Sequence, residues 1–181
     1  MEKRISSNNR SPTGAYRSFD SGVGTLYIRR LKALSTQFAI YDKHDSLVYS
    51  VKPKKIALSR TFSVFDANEE PVAQIAQCLS LIVPKYRIRI EGGDEFVIKR
   101  KLSFSHDYLI SSLPWTVLGD YSSFRYNVLD GNENVIFRIK KSSDYSFGRY
   151  EVEYTDARHK LHGVCIALAI DAAIAAIRNS R

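Results

Sequence analysis

From Leu26 onward the chain runs in short stretches where apolar and polar residues alternate, rich in Tyr, Phe, Ile and Val and broken by turn residues. This is the period-two pattern of β-strands. Phe38, Ile40 and Asp42 begin one unit, and Phe62, Val64 and Asp66, then Tyr86, Ile88 and Ile90, then Tyr126, Val128 and Asp130 repeat it. Each unit has an aromatic, a branched aliphatic residue two positions on and usually an aspartate. A turn and a second strand follow, at Val48 to Lys52, Val72 to Ala76, Phe96 to Arg100 and Val135 to Lys140. The first three aromatics lie 24 residues apart, the length of one hairpin plus its link to the next. The segments Asp42 to Asp45, Asp66 to Glu69, Gly92 to Asp94 and Asp130 to Asn132 offer Asx-turn or positive-φ chemistry, so each predicts a hairpin turn. A weaker copy runs through Tyr108 to Ile110, Trp115 and Gly119. With further strands at Leu26 to Arg30 and Arg149 to Tyr154, the pattern predicts about twelve strands, enough for a sandwich or a closed barrel.

The last segment chooses between the two. Val164 to Ile177 is made of good helix formers and is apolar around nearly its whole circumference, interrupted by Asp171. A helix lying on one face of a sandwich keeps a wet side, whereas one running through a barrel does not. Ile166, Ile170, Ile174 and Ile177 make a bulky stripe, and the intervening alanines keep the rest thin enough for strand side chains to close around it. The predicted fold, over residues 23–181, is mainly β: a closed antiparallel β-barrel of about twelve strands enclosing a hydrophobic C-terminal α-helix. At about 1.5 Å per residue this run spans roughly 20 Å, short of the ~30 Å core of a bilayer, which favours a core helix over a membrane span.

Residues 1–22, rich in Ser, Asn and Arg, have no apolar stretch and read as a flexible tail, with neither a secretory leader nor an anchor. Cys78 and Cys165 sit among apolar neighbours and are expected to be buried, reduced thiols, which points to the cytoplasm. Charge adds one thing to this picture. The chain carries 27 Lys and Arg against 19 Asp and Glu, a net +8 that admits anionic partners.

Several stretches taken together are familiar: Tyr27 to Arg30, Phe38 to Asp42 with Val48 to Val51, Pro84 to Ile88, Trp115 to Asp120, and the closing helix around Asp171. In order and spacing, from Thr25 to Ile177, they resemble the LURP-one-related family. That family is a branch of the tubby C-terminal-domain-like superfamily, which also holds the phospholipid scramblases. The resemblance implies a twelve-stranded barrel wrapped around a hydrophobic helix. For function it implies a range: tubby proteins bind phosphoinositides through a basic pocket, scramblases are calcium-linked membrane proteins, and plant LURP-one-related proteins are associated with defence against pathogens. This chain has no cysteine-rich palmitoylation cluster, no extended C-terminal transmembrane segment and no D-x-[DN]-x-[DN]-G calcium loop, so scramblase activity does not carry over. The superfamily's lipid-binding residues have no motif here that matches position by position.

Candidate chemistry is sparse. His159, His162 and Cys165 have an H-x2-H-x2-C spacing, but on a helix the three do not converge on one ion, so no metal site is assigned. A His162 and Cys165 dyad would need an exposed thiol of lowered pKa, and Cys165 lies in the greasiest part of the chain. Neither a G-x-S-x-G elbow nor a G-x-x-x-x-G-K loop occurs, and the chain reads as non-enzymatic, without a cofactor. Asp171 needs a partner inside the helix's surroundings. It is expected to act as a buried polar lock on helix register, with a polar anchor in a ligand-accessible cavity or a pH-sensitive gate as the alternative.

Basic residues gather in the strands and acids at the turns. Lys52, Lys54, Lys55 and Arg60, expected beside a turn containing Pro53, are the candidate anionic-ligand residues. Arg87 and Arg89 are expected to project from the barrel's outer face. The expected function is peripheral binding of anionic phospholipid headgroups at a membrane surface, and the alternative is a protein-interaction or structural module with no lipid ligand. Nucleic acid is not the expected partner, for want of a recognition helix or a row of exposed stacking aromatics.

Overall fold

The computed structural model describes residues 23–31, 37–56, 59–102, 107–120, 124–142 and 149–178. The tail expected at 1–22 lies outside them. Twelve strands follow one another: β1 (Gly24–Arg30), β2 (Phe38–Tyr41), β3 (Leu47–Ile56), β4 (Ser59–Asp66), β5 (Pro71–Cys78), β6 (Lys85–Ile90), β7 (Glu95–Arg100), β8 (Tyr108–Ser111), β9 (Thr116–Asp120), β10 (Arg125–Leu129), β11 (Val135–Ser142) and β12 (Arg149–Tyr154). Each pairs antiparallel with the next, and β12 returns to β1 with Leu26 opposite Val152 and Ile28 opposite Tyr150, so the sheet closes. Closure leaves no unpaired edge along the wall.

The aspartate of the repeat builds the turns. Asp42 Oδ1 accepts from the N–H groups of His44 (2.8 Å) and Ser46 (2.9 Å), Asp66 Oδ1 from Asn68 (2.8 Å) and Glu70 (2.9 Å), and Asp130 Oδ1 from Asn132 (2.8 Å) and Asn134 (2.9 Å). The residue three positions on takes a left-handed φ, 60° at Asp45, 64° at Glu69 and 63° at Glu133, the bulge that ends a type I hairpin loop. The hydrogen bonds from Ser46 and His44 hold the Asp42 carboxyl below its usual value.

The repeated aromatics all turn inward. Phe38, Phe62, Tyr86, Tyr108, Tyr126 and Tyr150 stand near the start of the six even-numbered strands, each buried against the helix side of the wall. A 3-10 turn at Ala157–His159, capped by Asp156 accepting from the Arg158 N–H, leads into α1 (Lys160–Arg178). Residues 162–170 and 172–174 of α1 are buried. The helix is thus longer than the apolar run suggested, because its first turn is polar and sits in the barrel mouth. Counted from Ala157 to Arg178, the helical segment has 22 residues and the length and composition to cross a bilayer, longer than the apolar run alone. Here strand side chains cover it instead.

Two smaller expectations change. Pro53 lies within β3 opposite Phe62, not in a turn. Among the described residues β3 pairs with β2 only up to Val51, so at Pro53 the described ladder is the one to β4 and the missing N–H is tolerated. Cys78 is half-buried at the end of β5, whereas Cys165 is buried.

Candidate functional site: the basic end of the barrel

In a closed barrel of consecutive antiparallel strands, every even-to-odd connection falls at one end and every odd-to-even connection at the other. The even-to-odd turns carry Asp42 and Asp45, Asp66, Glu69 and Glu70, Glu91 and Asp94, and Asp130 and Glu133. The opposite end gathers Lys54 and Lys55 with Arg60, Lys85, Lys99 to Lys101, and Lys141, with Arg178 where α1 emerges. Acids at turns and bases in strands therefore become an acidic end and a basic end.

The wall between them is largely neutralised. Arg87 and Arg89 are both exposed and share Glu95 (3.5 and 2.8 Å), and Lys140 bridges Glu151 (3.0 Å) and Glu153 (2.8 Å). Of the four candidate cations, Lys52 belongs to this wall: its Nζ is 3.2 Å from Glu69 and 4.9 Å from the centre of the Phe65 ring. Lys54 is exposed nearer the hairpin tip, opposite Thr61, and Lys55 and Arg60 are register partners. The structure thus brings three of the four to the basic end and separates Lys52 from them. Sequence reasoning missed Lys85 and Lys99 as a pair, because only strand register reveals that they stand opposite each other.

Asp171 finds its partners at the same end but inside the wall. Arg30 Nη2 lies 2.7 Å from Oδ2, and the Tyr150 hydroxyl donates to Oδ1. Desolvation by burial, together with the adjacent carboxylate, pushes the Tyr150 hydroxyl up, so it stays a donor. Arg30 also stacks 5.0 Å above the Phe38 ring. The cavity lined by Arg30, Phe38, Phe62, Leu168, Asp171, Ala172 and Ala175 holds about 40 Å³, room for a water or two and far below the ~300 Å³ of a small-molecule site. The geometry therefore ties β1, β12 and α1 together at one point, beside a cavity of about water size.

At the helix entrance, His162 Nε2 is 2.9 Å from Asp94 Oδ2, and its ring stacks on Phe96 with Trp115 and His159 edge-on. Nδ1 is buried with no hydrogen-bond partner. A neutral ring donating Nε2–H to Asp94 leaves only a lone pair there, whereas a cation would bury an unanswered N–H. Desolvation lowers the His162 pKa accordingly, against the pull of Asp94. Cys165 is fully buried and its thiol is pushed up by desolvation, the reverse of an activated nucleophile. Among the described residues no group of three or more His, Cys, Asp or Glu could hold a metal ion.

A helix-filled, twelve-stranded barrel with a segregated charge pattern is the class these observations define. The LURP-one-related family model matches residues 25–171, and the chain belongs to that family. It is similar to the uncharacterised protein YxjI of Bacillus subtilis (strain 168), 25% identical over 143 residues that cover 78% of this chain and 86% of that one. The crystal structure of an Arabidopsis thaliana protein, AT5G01750, shares the fold with a TM-score of 0.57 and 13% identity, over 84% of this chain and 93% of that one.

Proposed function

We propose that this LURP-one-related barrel is a non-enzymatic, cytoplasmic protein that docks peripherally on anionic phospholipid headgroups through its basic end. The observation that carries the reading is the segregation of charge: cations of the wall are paired with carboxylates, while at the odd-to-even end Lys101 lies 3.8 Å from Asp107 but cations outnumber the described acids, and Lys54 and Lys141 extend from the rim. Near an anionic surface each basic residue contributes about 1 kcal/mol, so five or six acting together give a Kd of about 40–200 μM at low salt. The barrel's dipolar charge also orients it, because the acidic turns are repelled as the basic end approaches.

Sedimentation with phosphatidylcholine vesicles, with and without phosphatidylserine, tests this. Binding is expected to the anionic vesicles at about 0.1 M salt and to be lost near 1 M, where the Debye length falls from roughly 10 Å to about 3 Å. The positional control matters more, since any cationic protein is drawn to anionic lipid. Reversing Lys54 and Lys141 to Glu should weaken binding more than reversing Arg87 and Arg89, which already face Glu95. Equal loss from both pairs would reduce docking to nonspecific attraction.

A further inference from the structure

Between Cys78 of β5 and Lys85 of β6, the connection Leu79, Ser80, Leu81, Ile82, Val83, Pro84 crosses the basic end. An aliphatic link of this kind is normally covered, yet Leu79 is 95% exposed, Leu81 105% and Ile82 77%. Leu102, which opens the next connection at the same end, is 75% exposed. Directly behind the loop, Lys85 and Lys99 stand opposite each other on β6 and β7. No ion pair forms on either among the described residues, although like charges directly opposed in a sheet are unfavourable. They line an outer groove of about 450 Å³ with Val97, Leu109 and Ser111.

We infer that Leu79, Leu81 and Ile82 insert into the acyl region of an anionic bilayer while Lys85 and Lys99 hold a lipid phosphate in the groove behind them. This rests on the docking reading above and deepens it. The order of chemistry selects the occupant: apolar side chains at the tip, a proline, then Lys85 with Lys99 opposite it on β7, two cations facing one groove. Ile82 lies three residue steps before Lys85, with Val83 and Pro84 between them, so the tip reaches at most about 10 Å beyond the lysine. That matches the ~5–10 Å to which interfacial apolar groups enter below the headgroups. The acidic end, with its charged turns, offers no such sequence.

The test uses the full chain with Cys78→Ser and Leu81→Cys carrying an environment-sensitive fluorophore, the buried Cys165 being protected from labelling. With phosphatidylserine-containing vesicles the label should shift to the blue and be quenched by spin labels high on the acyl chains. The same label at Leu47→Cys, 45% exposed at the acidic end, should not respond. Leu81→Ser should weaken vesicle binding on the order of tenfold, since a leucine side chain's transfer is lost. Lys85→Glu with Lys99→Glu should abolish the preference for anionic vesicles with the fold unchanged by circular dichroism. If the protein sediments with vesicles but the label at position 81 stays in water, or Leu81→Ser binds as the unchanged chain does, insertion is overturned and docking by charge stands. If anionic preference survives the double reversal, the phosphate groove is overturned. No sedimentation with any vesicle overturns both this inference and the docking reading.

Discussion

Gly163 shows how closely the barrel wall approaches its helix. A Cβ built there would lie 2.8 Å from Phe137 Cδ1 and 2.9 Å from Val152 Cγ1, and both neighbours are fully buried. Replacing glycine by alanine inside a helix ordinarily gains about 1 kcal/mol. Overpacking a tight core costs about 1–3 kcal/mol, and with two neighbours held in the core that cost should win. Gly163→Ala is therefore expected to lower the urea midpoint; a raised midpoint would show that the wall gives way. Asp171 is the second such residue. Asp171→Ala leaves the Arg30 guanidinium, with a side chain only 22% exposed, without its carboxylate, and should cost about 3 kcal/mol. Asp171→Asn keeps an acceptor for Tyr150 and should cost less, with the two variants compared by thermal and urea melts. If both melt with the unchanged chain, the contact to Arg30 and Tyr150 contributes nothing and the register lock is wrong.

At the scale of elements, the hairpins were legible in the sequence because their cause is local. An aspartate that bonds two backbone N–H groups within four residues needs nothing from the rest of the fold, and Asp42, Asp66 and Asp130 each announce it. The helix core was legible for a similar reason, since only enclosure suits a segment apolar on every side. Its start was not, because Lys160, Leu161, His162 and Gly163 take their places from the barrel mouth. Pro53 stands in a strand although a proline signals a turn, because among the described residues only β4 pairs with β3 at that position. Lys52 was counted with its sequence neighbours, although only strand packing shows Glu69 beside it. The helix entrance also makes a prediction about pH. His162 has its folded pKa depressed below the ordinary ~6.5, so between those values the unfolded chain binds more protons than the folded one. Stability should accordingly be full above about pH 7 and decline as pH falls through 6.5 toward the folded value. His162→Gln should flatten that part of the profile in urea melts taken across it; an unchanged slope would mean that His162 binds its proton equally well in the folded and unfolded chain, so that burial does not depress it.

On the scale of the whole molecule, barrel and helix are one core. The buried aromatics of six strands and the buried stretch of α1 form a single apolar cluster, so neither part has a dry partner without the other. A domain's net stability is only about 5–15 kcal/mol, while fully burying one large aliphatic side chain contributes about 1.5–3 kcal/mol. Removing α1 forfeits Ile166, Leu168, Ile170 and Ile174 together with the faces of Phe38, Phe62, Tyr86 and Phe137 that they cover, a loss comparable to or larger than the whole margin. A chain ending at Tyr154 is thus expected to collapse or aggregate, with no native near-UV circular dichroism from Trp115 and the tyrosines. Ala169→Arg, at a position 1% exposed, separates this from an effect of length alone: it keeps every residue but buries an unpaired charge where the wall has no room for it. It should behave nearly as badly as the truncation. A truncated chain that stayed soluble, kept its near-UV spectrum and melted at the same temperature would mean that the barrel stands empty, and the close contact between Gly163 and the wall would then contribute nothing to stability.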